Sequence, residues 1–133
     1  MARRYFDEVC NERKLDVADE IIADDFVSHV PNSPPASGPS GIKEGVAIYQ
    51  EALNGHWDVQ EMFSVDDRVV TGWIGRGTHV GEINGIAPTG KTVAVDAITV
   101  HRVADGKITE DRTVWDTLGM LQQIGAVPAP AAA

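Results

Sequence analysis

The chain has 133 residues, with 11 basic and 20 acidic side chains and a formal net charge of −9. That length suits one domain, and 43% hydrophobic against 23% charged residues is a globular composition rather than a disordered or coiled-coil one. The acid excess excludes a phosphate-backbone binder, which needs clustered Lys and Arg, and no apolar run approaches the ~20 residues that span a bilayer. Met1 to Glu20 interleaves charge with apolar residues and lacks the uncharged stretch of a secretory signal. One cysteine, Cys10, makes no internal disulfide. The expected partners therefore include neither nucleic acid nor membrane, and the expected compartment is the cytoplasm.

In chain order, Met1 to Arg13 reads as an amphipathic helix whose apolar stripe is Tyr5, Phe6, Val9 and Cys10. A short helix follows over Val17 to Ala23, then an extended stretch over Phe26 to Val30. Prolines 31, 34, 35 and 39 make Pro31 to Gly41 a loop. Ser40 offers an N-cap for a helix from about Gly41 to Leu53. After Asn54-Gly55 the period changes from 3.6 to 2, giving strands over Asp58 to Val65, Arg68 to Val80, Thr92 to Val103 and Lys107 to Trp115. Asp66-Asp67 and Ala104-Asp105-Gly106 are tight turns, so neighbouring strands pair antiparallel. Asp116 caps a closing helix that runs to Ile124, with Gly125 at its C-terminal end. Residues 1–127 are expected to form one domain and 128–133 a flexible tail. Helices followed by a meander give an α+β plan in which helices cover one face of a curved sheet and enclose a pocket.

Gly85-Ile-Ala-Pro-Thr-Gly-Lys-Thr92 matches the phosphate-loop pattern G-x-x-x-x-G-K-[ST] letter for letter. That chemistry requires the loop to open a helix, whose amides hold the phosphates. Here Lys91 is followed by Thr-Val-Ala-Val-Asp-Ala-Ile-Thr-Val, which alternates as a strand. The segment is expected to be a hairpin loop with a Pro-Thr-Gly turn.

No G-x-S-x-G, C-x-x-C or H-E-x-x-H pattern occurs, and His79 and Glu82 would point to opposite faces of a strand, so no metal site is expected. Acid–base chemistry by histidine and carboxylate remains. A three-residue loop at Ala104-Asp105-Gly106 pairs Val103 with Lys107. One face then carries Val93, Val95, Ala97, Thr99 and His101 with Thr109, Asp111, Thr113 and Trp115. The opposite face holds Arg102, Glu110 and Arg112, which suit water, so the first is taken as the inner one. His101 and Asp111 then form a candidate hydrogen-bonded pair, the carboxylate raising the imidazole pKa towards neutrality. A purely structural cross-strand pair is the alternative. On the preceding strand, Thr71, Trp73, Gly75, Gly77 and His79 share a face; the glycines imply close approach of a ligand or a helix. His79 is a further acid–base candidate, and His29 overhangs the pocket. Trp73 and Trp115 serve as walls.

Gly77-Thr-His-Val-Gly81, Pro88-Thr-Gly-Lys91, Ala104-Asp-Gly-Lys-Ile108 and Val114-Trp-Asp-Thr-Leu-Gly-Met-Leu-Gln-Gln-Ile-Gly125 together resemble the SnoaL-like polyketide cyclases. The opening helix and Phe26-Val27-Ser28-His29 fit as well. The resemblance implies the NTF2-like cone of that superfamily and a cofactor-free enzyme that closes a ring by intramolecular aldol condensation. It also implies a small hydrophobic substrate; separately, Ile98, Val100 and Val114 on the outer sheet face suit pairing with a second copy, so a homodimer is expected, and a mainly dimeric structural protein is a further alternative. In such cyclases the base is an aspartate on the last strand, with a histidine on the strand before it. Those positions are Thr113 and Thr99 here, which become substrate-binding candidates, and the acid–base pair moves along the same face to Asp111 and His101. A non-catalytic binding protein using the same cavity, or an enzyme like the limonene-epoxide hydrolases, is the alternative.

Overall fold

Alternating burial along residues 92–101 shows how the sheet takes its shape: Val93, Val95, Ala97, Thr99 and His101 are buried, while Thr92, Ala94, Asp96 and Ile98 are exposed. The structure, a computed structural model, describes residues 1–31 and 33–128. The order is α1 (Ala2–Arg4) continuing into a π-helical stretch (Tyr5–Asn11), a 3-10 turn (Leu15–Val17), α2 (Ala18–Ile21), β1 (Ile22–His29), β2 (Ala36–Ser37) and α3 (Gly38–Leu53). Then come β3 (His56–Val65), β4 (Arg68–Thr78), β5 (Thr92–Ala104), β6 (Lys107–Trp115) and α4 (Thr117–Gln123). The strands form one sheet in the order β2-β1-β6-β5-β4-β3. The four-strand meander is therefore extended by β1, which pairs parallel to β6, and by β2 beyond it. Helices on one face of this curved, unclosed sheet give an α+β cone, as expected.

The opening stripe docks as its spacing requires. Tyr5, Phe6, Val9 and Cys10 are buried, and each large apolar side chain so buried stabilises the fold by ~1.5–3 kcal/mol. The helix widens here, with Glu12 N–H reaching the Asp7 carbonyl at 2.9 Å. The carbonyls of Val9 and Cys10 accept hydrogen bonds from buried Gln50 of α3. Asn11 then bonds both backbone groups of Trp57, tying this helix to the start of β3.

Several boundaries differ from the sequence reading: the short helix ends at Ile21, so that Ile22 and Ala23 open β1, β3 starts at His56 and β4 ends at Thr78. Helix α3 begins at Gly38, with Ser37 rather than Ser40 at its N-cap position and Pro39 in its first turn, where the missing proline N–H costs nothing. The hairpin between β5 and β6 is a two-residue Asp105-Gly106 turn with φ of 53° and 75°, so Ala104, not Val103, faces Lys107. A bulge just beyond it restores the alignment, setting His101 opposite Asp111 and Thr99 opposite Thr113. Asp116 does cap α4, accepting from Gly119 N–H at 2.8 Å. Residues 85–91 form no helix and lead into β5, so the phosphate-loop pattern lacks the element it needs. The expected tail lies, from Ala129 onwards, outside the described residues. Among the described residues no helix is long and apolar enough to cross a membrane.

Candidate functional site

Between α3 and the inner sheet face lies a cavity of about 570 Å³, the size of a small-molecule site. The sheet face behind it is built in rows, because directly paired residues of neighbouring strands point the same way. Trp73, Ala97 and Trp115 form one row, Thr71, Thr99 and Thr113 the next, and Val69, His101 and Asp111 the third. Trp57, Trp73, Trp115, Tyr49 and Tyr5 supply the aromatic surface, with Trp73 stacked at a tilt against both other indoles. Exposed residues, among them Pro34, Pro35, Glu44, Ile48, His56 and Arg76, border the rim. Arg76 is already held by Asp58 at 3.0 Å.

The two glycines on β4 make room for different neighbours. A Cβ at Gly75 would press on the Trp73 and Trp115 rings, whereas one at Gly77 would collide with the Leu53 carbonyl at the end of α3. The first clears space for the cavity wall and the second for the helix.

Asp111 is 3% exposed, yet it lines the cavity. Burial pushes its carboxyl up from the ordinary 3.8 to about 6, against the lowering effect of hydrogen bonds from the Ser28 hydroxyl and the His29 backbone. The Ser28 Oγ donates to Asp111 Oδ1 at 2.6 Å, a buried contact from the parallel strand beside it. Tyr5 also faces the cavity, its hydroxyl pushed well above the usual phenol value by burial and by its neighbours, Asp111 among them.

The expected hydrogen bond between His101 and Asp111 does not form. The two residues oppose each other in register, but both imidazole nitrogens are buried without a partner. The ring stands edge-on to Tyr5 and Phe6, at 5.1 and 5.8 Å between centroids. Burial, with the N-terminal charge, lowers its pKa from 6.5 to about 4 instead of raising it. His101 is thus a neutral imidazole behind the cavity wall. Its sequence neighbourhood suggested an imidazolium because the aromatic lid that desolvates it comes from the other end of the chain.

The side chains of His79 and His29 lie outside the cavity lining, whereas His56 stands exposed at its rim. His79, fully buried, lies outside the cavity lining, and its Nδ1 accepts from the Thr89 backbone N–H at 3.2 Å, with the Thr89 hydroxyl at 3.0 Å. Its backbone also bonds Lys91 and Gly90, so it fastens the 79–91 loop. His29 is half-buried and outside the lining, whereas its neighbour Ser28 points in. Alternation from buried Phe26 carries Ser28, not His29, to the inner face, the signal by which Ser28 could have been found. Trp73, Thr99, Thr113 and Trp115 all line the cavity. Among the described residues no group of three or more His, Cys, Asp or Glu is arranged to hold a metal.

The model of the SnoaL-like polyketide cyclase family matches residues 1–124. This chain belongs to the SnoaL-like polyketide cyclase family. Among curated relatives, nogalonic acid methyl ester cyclase of Streptomyces nogalater is 28% identical, the match covering 86% of this chain and 88% of that one. A candidate SnoaL-like polyketide cyclase of Jannaschia sp. CCS1 superposes with a TM-score of 0.86 at 26% identity, over 96% of this chain and 90% of that one. The candidate polyketide cyclase IdmH of Streptomyces antibioticus gives a TM-score of 0.80 at 30% identity, over 93% and 95%. Within this cone the threonine row lies next to the buried Asp111.

Proposed function

We infer that this SnoaL-like chain is a cofactor-free cyclase in which Asp111 is the general base of an intramolecular aldol closure on a small hydrophobic, polycarbonyl substrate. The observation that carries the reading is a lone buried carboxyl group in an aromatic-lined cavity, with its pKa raised to about 6. A carboxylate so placed is a stronger base than one in water and still ionised at neutral pH.

The Asp111 carboxylate removes a proton from a carbon activated by an adjacent carbonyl. The resulting enolate carbon attacks a second carbonyl carbon of the same molecule, and the new C–C bond sends the carbonyl electron pair onto oxygen. That alkoxide recovers the proton from the Asp111 carboxyl, so no proton or electron is gained or lost overall. Ser28 holds the carboxylate in place, and Trp57, Trp73 and Trp115 fold the substrate and exclude water. His101 supports the wall, His79 fastens the 79–91 loop, and the His29 backbone N–H helps Ser28 hold the Asp111 carboxylate.

Nogalonic acid methyl ester, named for the Streptomyces relative, is the first substrate to try. Asp111→Asn should lower its turnover at least 100-fold, with the melting transition retained. Equal turnover by the variant would remove Asp111 from the mechanism. The threonines at the positions implied for histidine and aspartate favour a second reading, a non-catalytic binding protein; a ligand held tightly and returned chemically unchanged would support it. The homodimer is likewise a proposal. Ile98 and Val114, paired in register and each 56% exposed, would meet a second copy on the outer face, and sedimentation gives the mass that decides it.

A further inference from the structure

We propose that the Trp73–Thr99–Thr113 chain is a hydrogen-bond donor of fixed direction, with the Thr113 hydroxyl aimed at the substrate oxygen that becomes the enolate. This rests on Asp111 as the base and adds the group that stabilises the charge Asp111 creates.

The direction follows from the chemistry of the three groups. Trp73 Nε1–H can only donate, and it meets Thr99 Oγ1 at 3.0 Å in a buried contact. Thr99 Oγ1 therefore accepts there and has its own proton to place. Thr99 is 2% exposed, and its remaining hydrogen-bond neighbour is Thr113 Oγ1, also at 3.0 Å. Thr71, opposite Thr99 on the other side, has a buried hydroxyl without any partner, so it does not receive that proton. If Thr113 donated to Thr99, the hydrogen left over would sit on the residue that is only 2% exposed and not on the half-buried Thr113, so the arrangement that pairs the deeper hydroxyl within the wall is favoured. Thr99 therefore donates to Thr113, and the Thr113 hydrogen is left over. Thr113 is half-buried and lines the cavity, so that hydrogen is offered to whatever occupies it.

The spacing suits the task. Asp111 and Thr113 stand two residues apart on one strand face, about 7 Å along the chain. A C–C=O unit with a contact of roughly 3 Å at each end, bent out of line, spans that distance. Thr113 is then a catalytic residue acting as a donor to the oxyanion, and Thr99 and Trp73 are positioning residues that keep its proton pointing inward. Such preorganised donors act most strongly where water is excluded.

The test uses 4-nitrophenol, whose absorbance reports its ionisation, bound to the Asp111→Asn protein so that no carboxylate repels the phenolate. The readout is the ratio of phenolate to neutral phenol affinity. Thr113→Val should lower that ratio roughly tenfold or more, and Thr113→Ser should restore most of it. Trp73→Phe, which frees Thr99 to accept the Thr113 proton, should lower it about threefold. An unchanged ratio in Thr113→Val, or no binding of the phenolate by Asp111→Asn at all, overturns the donor. A full ratio in Trp73→Phe overturns the fixed direction. Each result stands whether or not Asp111→Asn abolishes turnover, so failure of the donor and failure of the base are separate outcomes.

Discussion

Asp111→Asn should make the protein more stable at alkaline pH while removing its base. The folded chain holds this carboxyl at about 6 against an ordinary 3.8, so ionising it in place costs ~3 kcal/mol at ~1.4 kcal/mol per pH unit. Below pH 4 the folded and unfolded chains both keep the proton, and the site costs nothing. Between pH 4 and 6 the unfolded chain releases the proton and the folded chain retains it, so stability falls as pH rises. Above 6 the whole loss is present. An amide cannot ionise and escapes it. The stability gap between variant and wild type should therefore grow by ~3 kcal/mol from pH 3.5 to pH 8. For a chain of this size that corresponds to roughly 10 °C in Tm at the alkaline end. The Ser28 hydroxyl can still donate to the amide oxygen, and any pH-independent repacking cancels between the two pH values. Urea denaturation of both proteins at pH steps from 3.5 to 8 measures the gap. A gap that stays flat, or that widens towards acid, would refute the desolvated carboxylate on which the mechanism rests.

Ser28→Ala removes the hydrogen bond that favours the ionised form of Asp111. The pH at which turnover is half-maximal should rise by about one unit, with turnover at pH 9 little changed. His101→Leu should act in the opposite pH range to Asp111→Asn. Burial holds His101 at about 4 against 6.5 unfolded, so the wild type loses ~3 kcal/mol of stability as pH falls through that window and the variant does not. Urea midpoints at pH 7 and pH 4 report the difference. Gly77→Ala places a methyl group against the Leu53 carbonyl and should destabilise by ~1–3 kcal/mol, read from the same denaturation curves.

The inner face of the sheet was legible from alternation once Arg102, Glu110 and Arg112 marked the opposite face as the wet one, although the turn that sets it was not. Reading Ala104-Asp105-Gly106 as a three-residue loop predicts the right parity, with His101 and Asp111 facing the same way. The chain uses a two-residue turn instead, which on its own would have put His101 opposite Glu110. The bulge beyond the turn adds back the missing residue, so the faces agree while each partner lies two residues further along. Strand β1 was only half visible, because its parallel pairing to β6 is a long-range match without a turn to announce it. The site was legible to the same depth. Asp111, Thr99, Thr113, Trp73 and Trp115 follow from one strand parity. The state of His101 depends on Tyr5 and Phe6, about a hundred residues away in sequence, and no local pattern encodes their arrival.

A histidine that stays neutral down to about pH 4 has a consequence for rate. If Asp111 and His101 shared the proton as base and acid, turnover would be bell-shaped in pH, with a falling limb where the imidazolium deprotonates. With both imidazole nitrogens unpartnered behind the wall, the acid for the second half-reaction is the carboxyl formed in the first. It is supplied by the cycle itself, so its availability does not decline as the solution becomes more alkaline. The turnover profile should therefore rise once, with a midpoint near the Asp111 value of about 6, and stay level through pH 8.5. Stopped-flow measurement of ring closure across that range distinguishes the two cases. A descending limb between pH 6.5 and 8 would bring a second titrating group back into the reaction and return His101 to it.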